Sequence, residues 1–433
     1  MLKLNSFTFY KRHQNELNKY IFSSSKTLHI ISDDIEKSTL SKNCEYLFVN
    51  KEEDFNSVIK SIRGFYDLII ITDLLESAED INELFFQLHL KLEDTGKLLI
   101  TSLNNIWYPV INFFEKLKLK KVSRKKVYTS EKKIKNILSE NNFRFISYNT
   151  RQYIPFKIFK FGDVLNGFVE IIFSKFNLGM KTYILYQKKS INYHNQSKTI
   201  IIPAKNEEKN LLPLIERIPN FKNLEVVIVY GKSEDKTAEI AEYIRDTSKF
   251  NVSTFQQSGK GKANAVFEAL KTTKNDLIAI LDADLSVDPE TLSDFFGIIE
   301  RREADFVNGT RFVYRMEKES MRFFNIIGNK TFQYLISIVI SRNLSDSLCG
   351  TKVFNKNLKE KILDWQEYNS VRDPFGDFDL IFSAAFSGQS IIEFPIHYKS
   401  RVYGVTQISR FRDGFKLLKY FIMSLIKFNT SIN

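Results

Sequence analysis

The run Leu277-Ile-Ala-Ile-Leu-Asp-Ala-Asp-Leu constrains this chain most. An apolar stretch of the kind that fills a buried strand ends in two carboxylates, Asp282 and Asp284, one residue apart. Successive strand side chains point to opposite faces, so residues two apart share a face. Two acids on one face at the end of a buried strand make a site for a hard divalent cation, which would in turn hold a diphosphate. The same pattern also describes a strand end followed by a solvated acidic turn. Taken alone, the pair leaves both readings open.

At 433 residues the chain exceeds one compact core, and two or three domains are expected. A net charge of +12 suits anionic partners: nucleotide diphosphates, an acidic membrane surface or nucleic acid. The basic residues are scattered among acidic ones, so no nucleic-acid partner is expected. Cys44 and Cys349 have no metal-ligand spacing, and a reducing cytoplasm fits them. The opening MLKLNSFTFYKRHQ lacks the apolar core of a signal peptide, so a cytoplasmic location is expected.

No segment reaches the ~20 apolar residues of a spanning helix. The nearest are 332–340 and 411–428. The second reads as an amphipathic helix with Phe415, Leu418, Phe421, Ile422 and Leu425 on one side, accompanied by Lys416, Lys419 and Lys427. Such a helix either packs on its own domain or lies on a membrane surface, here the inner face of the cell membrane.

The polar stretch 188–198 separates two halves, giving domains 1–190 and 199–433 with a linker at 191–198. In the first half, 26–31, 45–49, 67–72 and 96–101 read as strands and 80–92 as a helix. Segments 143–148 and 182–187 read as a closing antiparallel pair. Alternation of this kind predicts an α/β sheet covered by helices. Tyr66-Asp-Leu-Ile-Ile-Ile-Thr-Asp-Leu-Leu-Glu-Ser, followed by Leu92-Glu-Asp-Thr-Gly-Lys-Leu-Leu-Ile, resembles the middle of a class I S-adenosylmethionine-dependent methyltransferase over residues 20–150. That family needs a glycine-rich turn after its first strand. Here the stretch 27–35, Thr-Leu-His-Ile-Ile-Ser-Asp-Asp-Ile, has no glycine, and its side chains would fill the cofactor's place. Too few residues separate it from Asp67 for the usual intervening β-α-β. The expectation is a truncated, degenerate Rossmann-like methyltransferase-type sheet with S-adenosylmethionine not bound.

In the second half six blocks follow in order: Ile202-Pro-Ala-Lys-Asn-Glu-Glu, Ser233-Glu-Asp-Lys-Thr, Gly259-Lys-Gly-Lys-Ala, the DAD pair, Asn308-Gly-Thr-Arg, and Asp373-Pro-Phe-Gly-Asp-Phe-Asp-Leu, with Glu393-Phe-Pro-Ile and Arg401-Val-Tyr-Gly behind them. Asp235 or Ser233 is placed to cap the helix after the second block. The order resembles glycosyltransferase family 2, inverting transferases of the GT-A fold, over residues 198–415. Within it the likeness is to the polyprenyl-phosphate (dolichyl-phosphate) hexose synthases.

The resemblance implies a role for each block. Pro203, Ala204, Asn206 and Glu207 would surround the base and ribose. Lys260 and Lys262 would meet the diphosphate as point charges. Asp282 would face ribose and metal, and Asp284 would be the principal ligand of Mg²⁺ or Mn²⁺. Arg311 and Arg322 would grip an acceptor phosphate, unless they pair with Glu317 or Glu319. Asp377 would be general base for a hydroxyl acceptor, or orient an already ionised phosphate. Asp379 is the second acid of that block, and Asp346 supports this wall or is structural. Two departures stand out. Tyr230-Gly231 replaces the family's acidic pair, so Tyr230 would contact the base, and Ser286 stands where the lipid-phosphate enzymes often carry glutamine.

The expected protein is therefore an inverting hexosyltransferase using a nucleotide-diphospho-sugar and a polyprenyl phosphate or cell-surface glycan acceptor. Its rivals are a bifunctional methyltransferase–glycosyltransferase and a non-catalytic nucleotide-sugar-binding scaffold.

Overall fold

The computed structural model divides into two compact units, Met1–Ile191 with Phe428–Asn433, and Asn192–Lys427. The described residues are 6–22, 24, 26–32, 43–49, 55–75, 78, 80–109, 131–153, 169, 176–189, 196–313, 323–340, 342, 344–368, 373–400, 403 and 410–429. Of the expected linker 191–198, residues 191–195 lie outside them.

The first unit carries strands β1 (Thr27–Ser32), β2 (Glu45–Val49), β3 (Tyr66–Thr72), β4 (Leu92–Leu103), β5 (Phe143–Arg151) and β6 (Lys181–Lys188). Its described helices are α1 (Ser6–Phe22), α2 (Phe55–Lys60), α3 (Ile81–Leu90) and α4 (Glu131–Glu140). The sheet order is β2-β1-β3-β4-β6-β5. The first four strands are parallel, and β6 runs antiparallel to both β4 and β5, in keeping with the expected closing pair. Alternation along β3 explains why both faces are covered. Ile69 and Ile71 pack with Leu84, Phe85 and Leu88 of α3 and Leu138 of α4, while Leu68 and Ile70 pack with Leu17 and Ile21 of α1. Asp80 accepts the N–H groups of Asn82 and Glu83 and so starts α3, one residue inside the helix read from sequence.

The α1 side of this sheet also buries polar groups. His29 bonds Thr72 at 2.8 Å and His13 bonds Tyr183 at 2.8 Å. Burial first, and the Lys181 charge second, lower both histidines, His29 to about 3.

The second unit carries β7 (Lys198–Ala204), β8 (Leu224–Tyr230), β9 (Asn251–Gln256), β10 (Leu277–Ile280), β11 (Phe306–Thr310), β12 (Lys352–Asn355) and β13 (Ile391–Pro395). They form one sheet in the order β13-β11-β12-β10-β7-β8-β9. Its described helices are α5 (Leu211–Glu216), α6 (Thr237–Thr247), α7 (Lys262–Thr272), α8 (Leu292–Glu300), α9 (Phe323–Ile340), α10 (Lys356–Tyr368), α11 (Asp377–Phe386) and α12 (Arg410–Asn429), all but the last two residues of α12 falling in this unit. Strands β7 to β10 are parallel, and β12 enters antiparallel between β10 and β11. Ile280 pairs with Ile201 on one side and with Lys352 on the other. The start of β12 thus meets the end of β10, at the carboxyl edge where open α/β sheets hold ligands.

The apolar stripe expected on α12 is not what the helix buries. Phe421 is buried, but Phe415, Leu418 and Ile422 are 71%, 41% and 48% exposed. The inner face is Leu417, Tyr420, Phe421 and Ser424. Tyr420 sets this rotation, since its hydroxyl donates to Asp379 and accepts from Trp365 Nε1 at 2.7 Å.

Candidate active site

The loop after β7 is laced to the turn after β8. Asn206 takes φ 57°, a left-handed value that asparagine tolerates better than most residues. Its N–H donates to Ser233 Oγ at 3.1 Å, and its Oδ1 accepts the Glu234 N–H at 2.9 Å. Glu207 N–H reaches Thr237 Oγ1 at 2.8 Å, and Glu208 N–H reaches Asp235 at 3.2 Å. Asp235 also accepts the Thr237 N–H at the head of α6, so of the two capping candidates it serves the helix while Ser233 serves the loop. Pro203 and Ala204 close β7 beside this lacing. The Glu207 carboxylate accepts Asn210 Nδ2 at 2.5 Å, and Tyr230 donates to Glu242 at 3.1 Å.

Strand β10 ends at Ile280, so Asp282 and Asp284 stand in the turn beyond it and strand alternation does not aim them. Asp282 Oδ1 lies 2.6 Å from Lys262 Nζ at the start of α7. Burial opposes the Lys262 ammonium, but Asp282 and Asp377 outweigh it and its pKa is raised. Gly350 makes this approach possible, because a Cβ there would collide with both Asp282 Oδ2 and Lys262 Nζ. Asp284 is buried, and its Oδ1 accepts the Ser286 N–H at 3.0 Å and hydroxyl at 2.6 Å. Lys260, on the glycine loop before α7, is exposed.

Asp377 opens α11, and Lys352 Nζ sits 2.6 Å from its Oδ1 with the lysine wholly buried. Asp373 accepts the N–H groups of Phe375 at 3.0 Å and Phe378 at 2.6 Å. Burial and the neighbouring Asp377 carboxylate push Asp373 up to about 6. Asp379 belongs to a different set: it receives the Tyr420 hydroxyl rather than Lys352.

Arg311 is paired with Asp346. It forks onto Asp346, Nε to Oδ2 at 2.6 Å and Nη2 to Oδ1 at 2.8 Å, with Asn329 also donating to Oδ1 at 2.8 Å. Burial opposes this guanidinium, Asp346 outweighs it, and its pKa is raised. The guanidinium lies over the Tyr398 ring at 5.0 Å. Arg322, Glu317 and Glu319 lie outside the described residues.

The site thus brings together Asp282, Lys262, Asp377 and Lys352 at the carboxyl edge of the sheet, with Asp284 beside Asp282 in the turn. Among the described residues no group of three or more His, Cys, Asp or Glu side chains is placed to hold a metal unaided. A donor set of one or two carboxylates, completed by substrate phosphates, is the usual arrangement for Mg²⁺, and Asp282 and Asp284 fit it. Sequence reasoning missed Lys352, Gly350 and Asn329. Gly350 was visible as a lone glycine before β12, but its reason, the Asp282–Lys262 contact, is set by three distant segments.

Residues 199–363 match the family model described as Glycosyl transferase family 2. The chain is 27% identical over 236 residues to a dolichol-phosphate mannosyltransferase of Pyrococcus furiosus, covering 51% of this chain and 64% of that one. It is 25% identical over 220 residues to a polyprenol monophosphomannose synthase of Mycolicibacterium smegmatis, covering 49% and 82%. A dodecaprenyl-phosphate galacturonate synthase of Rhizobium johnstonii matches at 26% over 171 residues, covering 38% and 49%. The chain spans 64%, 53% and 35% of the length of the first three curated relatives it matches. The family match is confined to the second unit, over residues 199–363.

Proposed function

We propose that the second unit is an inverting glycosyltransferase moving a hexose from a nucleotide-diphospho-sugar to a polyprenyl phosphate. The observation that carries this is the convergence of Asp282, Lys262 and Asp377 from three sequence blocks onto one sheet edge. The names of the relatives, three of them lipid-phosphate sugar synthases, support the acceptor class. Pro203, Ala204, Asn206, Glu207 and Tyr230 line the strand ends where a nucleoside would lie, and Lys260 and Lys262 stand where a diphosphate would follow.

The acceptor oxygen attacks the anomeric carbon as the bond to the diphosphate breaks on the opposite face, and the electron pair leaves with the diphosphate. Mg²⁺ or Mn²⁺ on Asp282 and Asp284 would neutralise that leaving group. A phosphate acceptor is already ionised near neutral pH, so Asp377, fixed by Lys352, orients rather than abstracts a proton. A glycan hydroxyl acceptor would instead need Asp377 as base. Arg311 and Arg322 are the residues proposed to face the acceptor phosphate, Arg311 with Asp346 holding its fork in place.

The test is transfer from a nucleotide-sugar panel with and without polyprenyl phosphate. Asp284→Asn, or EDTA, should lower turnover by about 100-fold or more while the melting temperature stays. Undiminished transfer by the metal-stripped variant would overturn the mechanism, and a far better soluble sugar acceptor would overturn the lipid-phosphate assignment.

For the first unit we propose a methyltransferase-type sheet that has lost its cofactor. The antiparallel β6 between β4 and β5 and the glycine-free β1 support this. A stoichiometric isotherm with S-adenosylmethionine would refute it and favour the bifunctional reading.

A further inference from the structure

Strand β13 carries one carboxylate that the proposed chemistry leaves unused. Glu393 is half-buried, and its described bonds all go to N–H groups. Its Oε2 accepts the Ser345 N–H at 2.7 Å, and its Oε1 accepts the Asp346 N–H at 3.0 Å and Asn308 Nδ2 at 3.4 Å. Burial raises its pKa, and the Asp346 N–H is the first of the contacts that draw it back. Asn308 and Glu393 are register partners on the parallel strands β11 and β13. Asn308 Nδ2 also donates to the Asp346 carbonyl at 2.8 Å. Thr310, two residues on and so on the same face of β11, meets the Ser345 hydroxyl at 2.6 Å. Two strand ends thus grip the backbone at 345–346.

That backbone carries the Asp346 carboxylate, which is saturated with donors. Its Oδ2 accepts the Arg311 N–H at 3.1 Å besides Nε, and its Oδ1 accepts the Leu348 N–H at 3.1 Å besides Asn329 and Nη2 of Arg311. The fork onto Asp346 uses Nε and Nη2, and the guanidinium has a second edge, ending in Nη1, in the same plane. A phosphate is recognised by such an edge only when the plane is held still. Any shift of the backbone at 345–346 moves the fork, and the second edge with it.

We propose that Glu393 is a positioning residue for the acceptor: by binding the Ser345 and Asp346 N–H groups it fixes the Asp346 carboxylate, and through it the guanidinium of Arg311. The proposal rests on the reading that Arg311 faces the acceptor phosphate, and names what holds it there. The chemistry of the position is specific. Two N–H groups point at two carboxylate oxygens, so a glutamine of the same size would turn its NH₂ toward one of them and set donor against donor. An aspartate keeps both oxygens on a shorter stem.

The test follows transfer by the full chain to a short-chain, water-soluble polyprenyl phosphate, varying acceptor and nucleotide-sugar separately. Glu393→Gln should raise the acceptor KM about tenfold or more and leave the nucleotide-sugar KM within about twofold, with Glu393→Asp recovering part of the loss. Should the glutamine variant fail to fold, Glu393→Asp carries the same comparison with a smaller shift. Arg311→Lys should show the same split, and adding Glu393→Gln to it should cost nothing more, since both act through one group. A second readout needs no acceptor. The Arg311 Nε–H resonance, assigned by its loss in Arg311→Lys, should be protected from exchange with water in the wild type and exchange at least about tenfold faster in Glu393→Gln. Equal losses for donor and acceptor, additive losses in the double variant, or unchanged exchange overturns the proposal. If the wild-type chain transfers to no acceptor while Glu393→Gln speeds the exchange, the positioning stands and the glycosyltransferase reading falls.

Discussion

A wholly buried ammonium needs a counter-charge, and Lys352 has it in Asp377, with the Cys349 carbonyl as a second acceptor. Removing one member of a buried pair leaves the other charge unpaired and costs about 3–5 kcal/mol. Lys352→Met should therefore destabilise the second unit and abolish transfer, and Lys352→Arg should recover part of both. The double variant Lys352→Met, Asp377→Leu separates the two effects: stability should return while turnover does not. Recovered turnover would remove Asp377 from the mechanism. In the sequence, Asp282, Asp284 and Asp377 stand out as candidates because acids at strand and helix ends rarely serve a core. Lys352 does not, because a single lysine opening a short apolar strand looks solvated until the antiparallel entry of β12 is known.

Among the elements, α12 shows where periodicity fails. The helix carries apolar residues on two faces, and no hydrophobic count distinguishes them. The choice rests on the hydroxyl of Tyr420, buried between Asp379 and Trp365, with its own pKa raised by burial and then by the Asp379 and Asp373 carboxylates. Tyr420→Phe should cost about 1–3 kcal/mol, since Asp379 and the Trp365 indole both lose a buried partner. Denaturant unfolding of the second unit measures this, and a cost near zero would mean another contact sets the rotation. The parallel strands were legible for the opposite reason. Runs such as Thr199-Ile-Ile-Ile and Val226-Val-Ile-Val have one stable fate, burial on both faces. Only their ends moved, β10 stopping before the acids.

At the scale of the whole molecule, the described residues form two sheets, each with its own core. Calorimetry should resolve two transitions, and a nucleotide diphosphate with Mg²⁺ should raise only one of them. Acid should act on the other. His29 is held near 3 in the folded first unit against an ordinary 6.5, so below about 6.5 the unfolded chain takes up a proton that the folded one refuses. Stability of that unit should fall as pH drops from about 6.5 toward 3, by up to about 1.4 kcal/mol per pH unit, and His29→Gln should flatten the slope. A pH-independent melt would show that the histidine is relieved by another route. The Lys262–Asp282 pair has a consequence of its own, one of timing. A free cation approaching Asp282 meets an ammonium already seated there and is repelled. A cation arriving chelated to a diphosphate brings fresh oxygens to which that ammonium can turn. If Asp282 holds the metal as proposed, the resting pair would act as a turnstile, admitting metal and donor together and leaving the free ion outside.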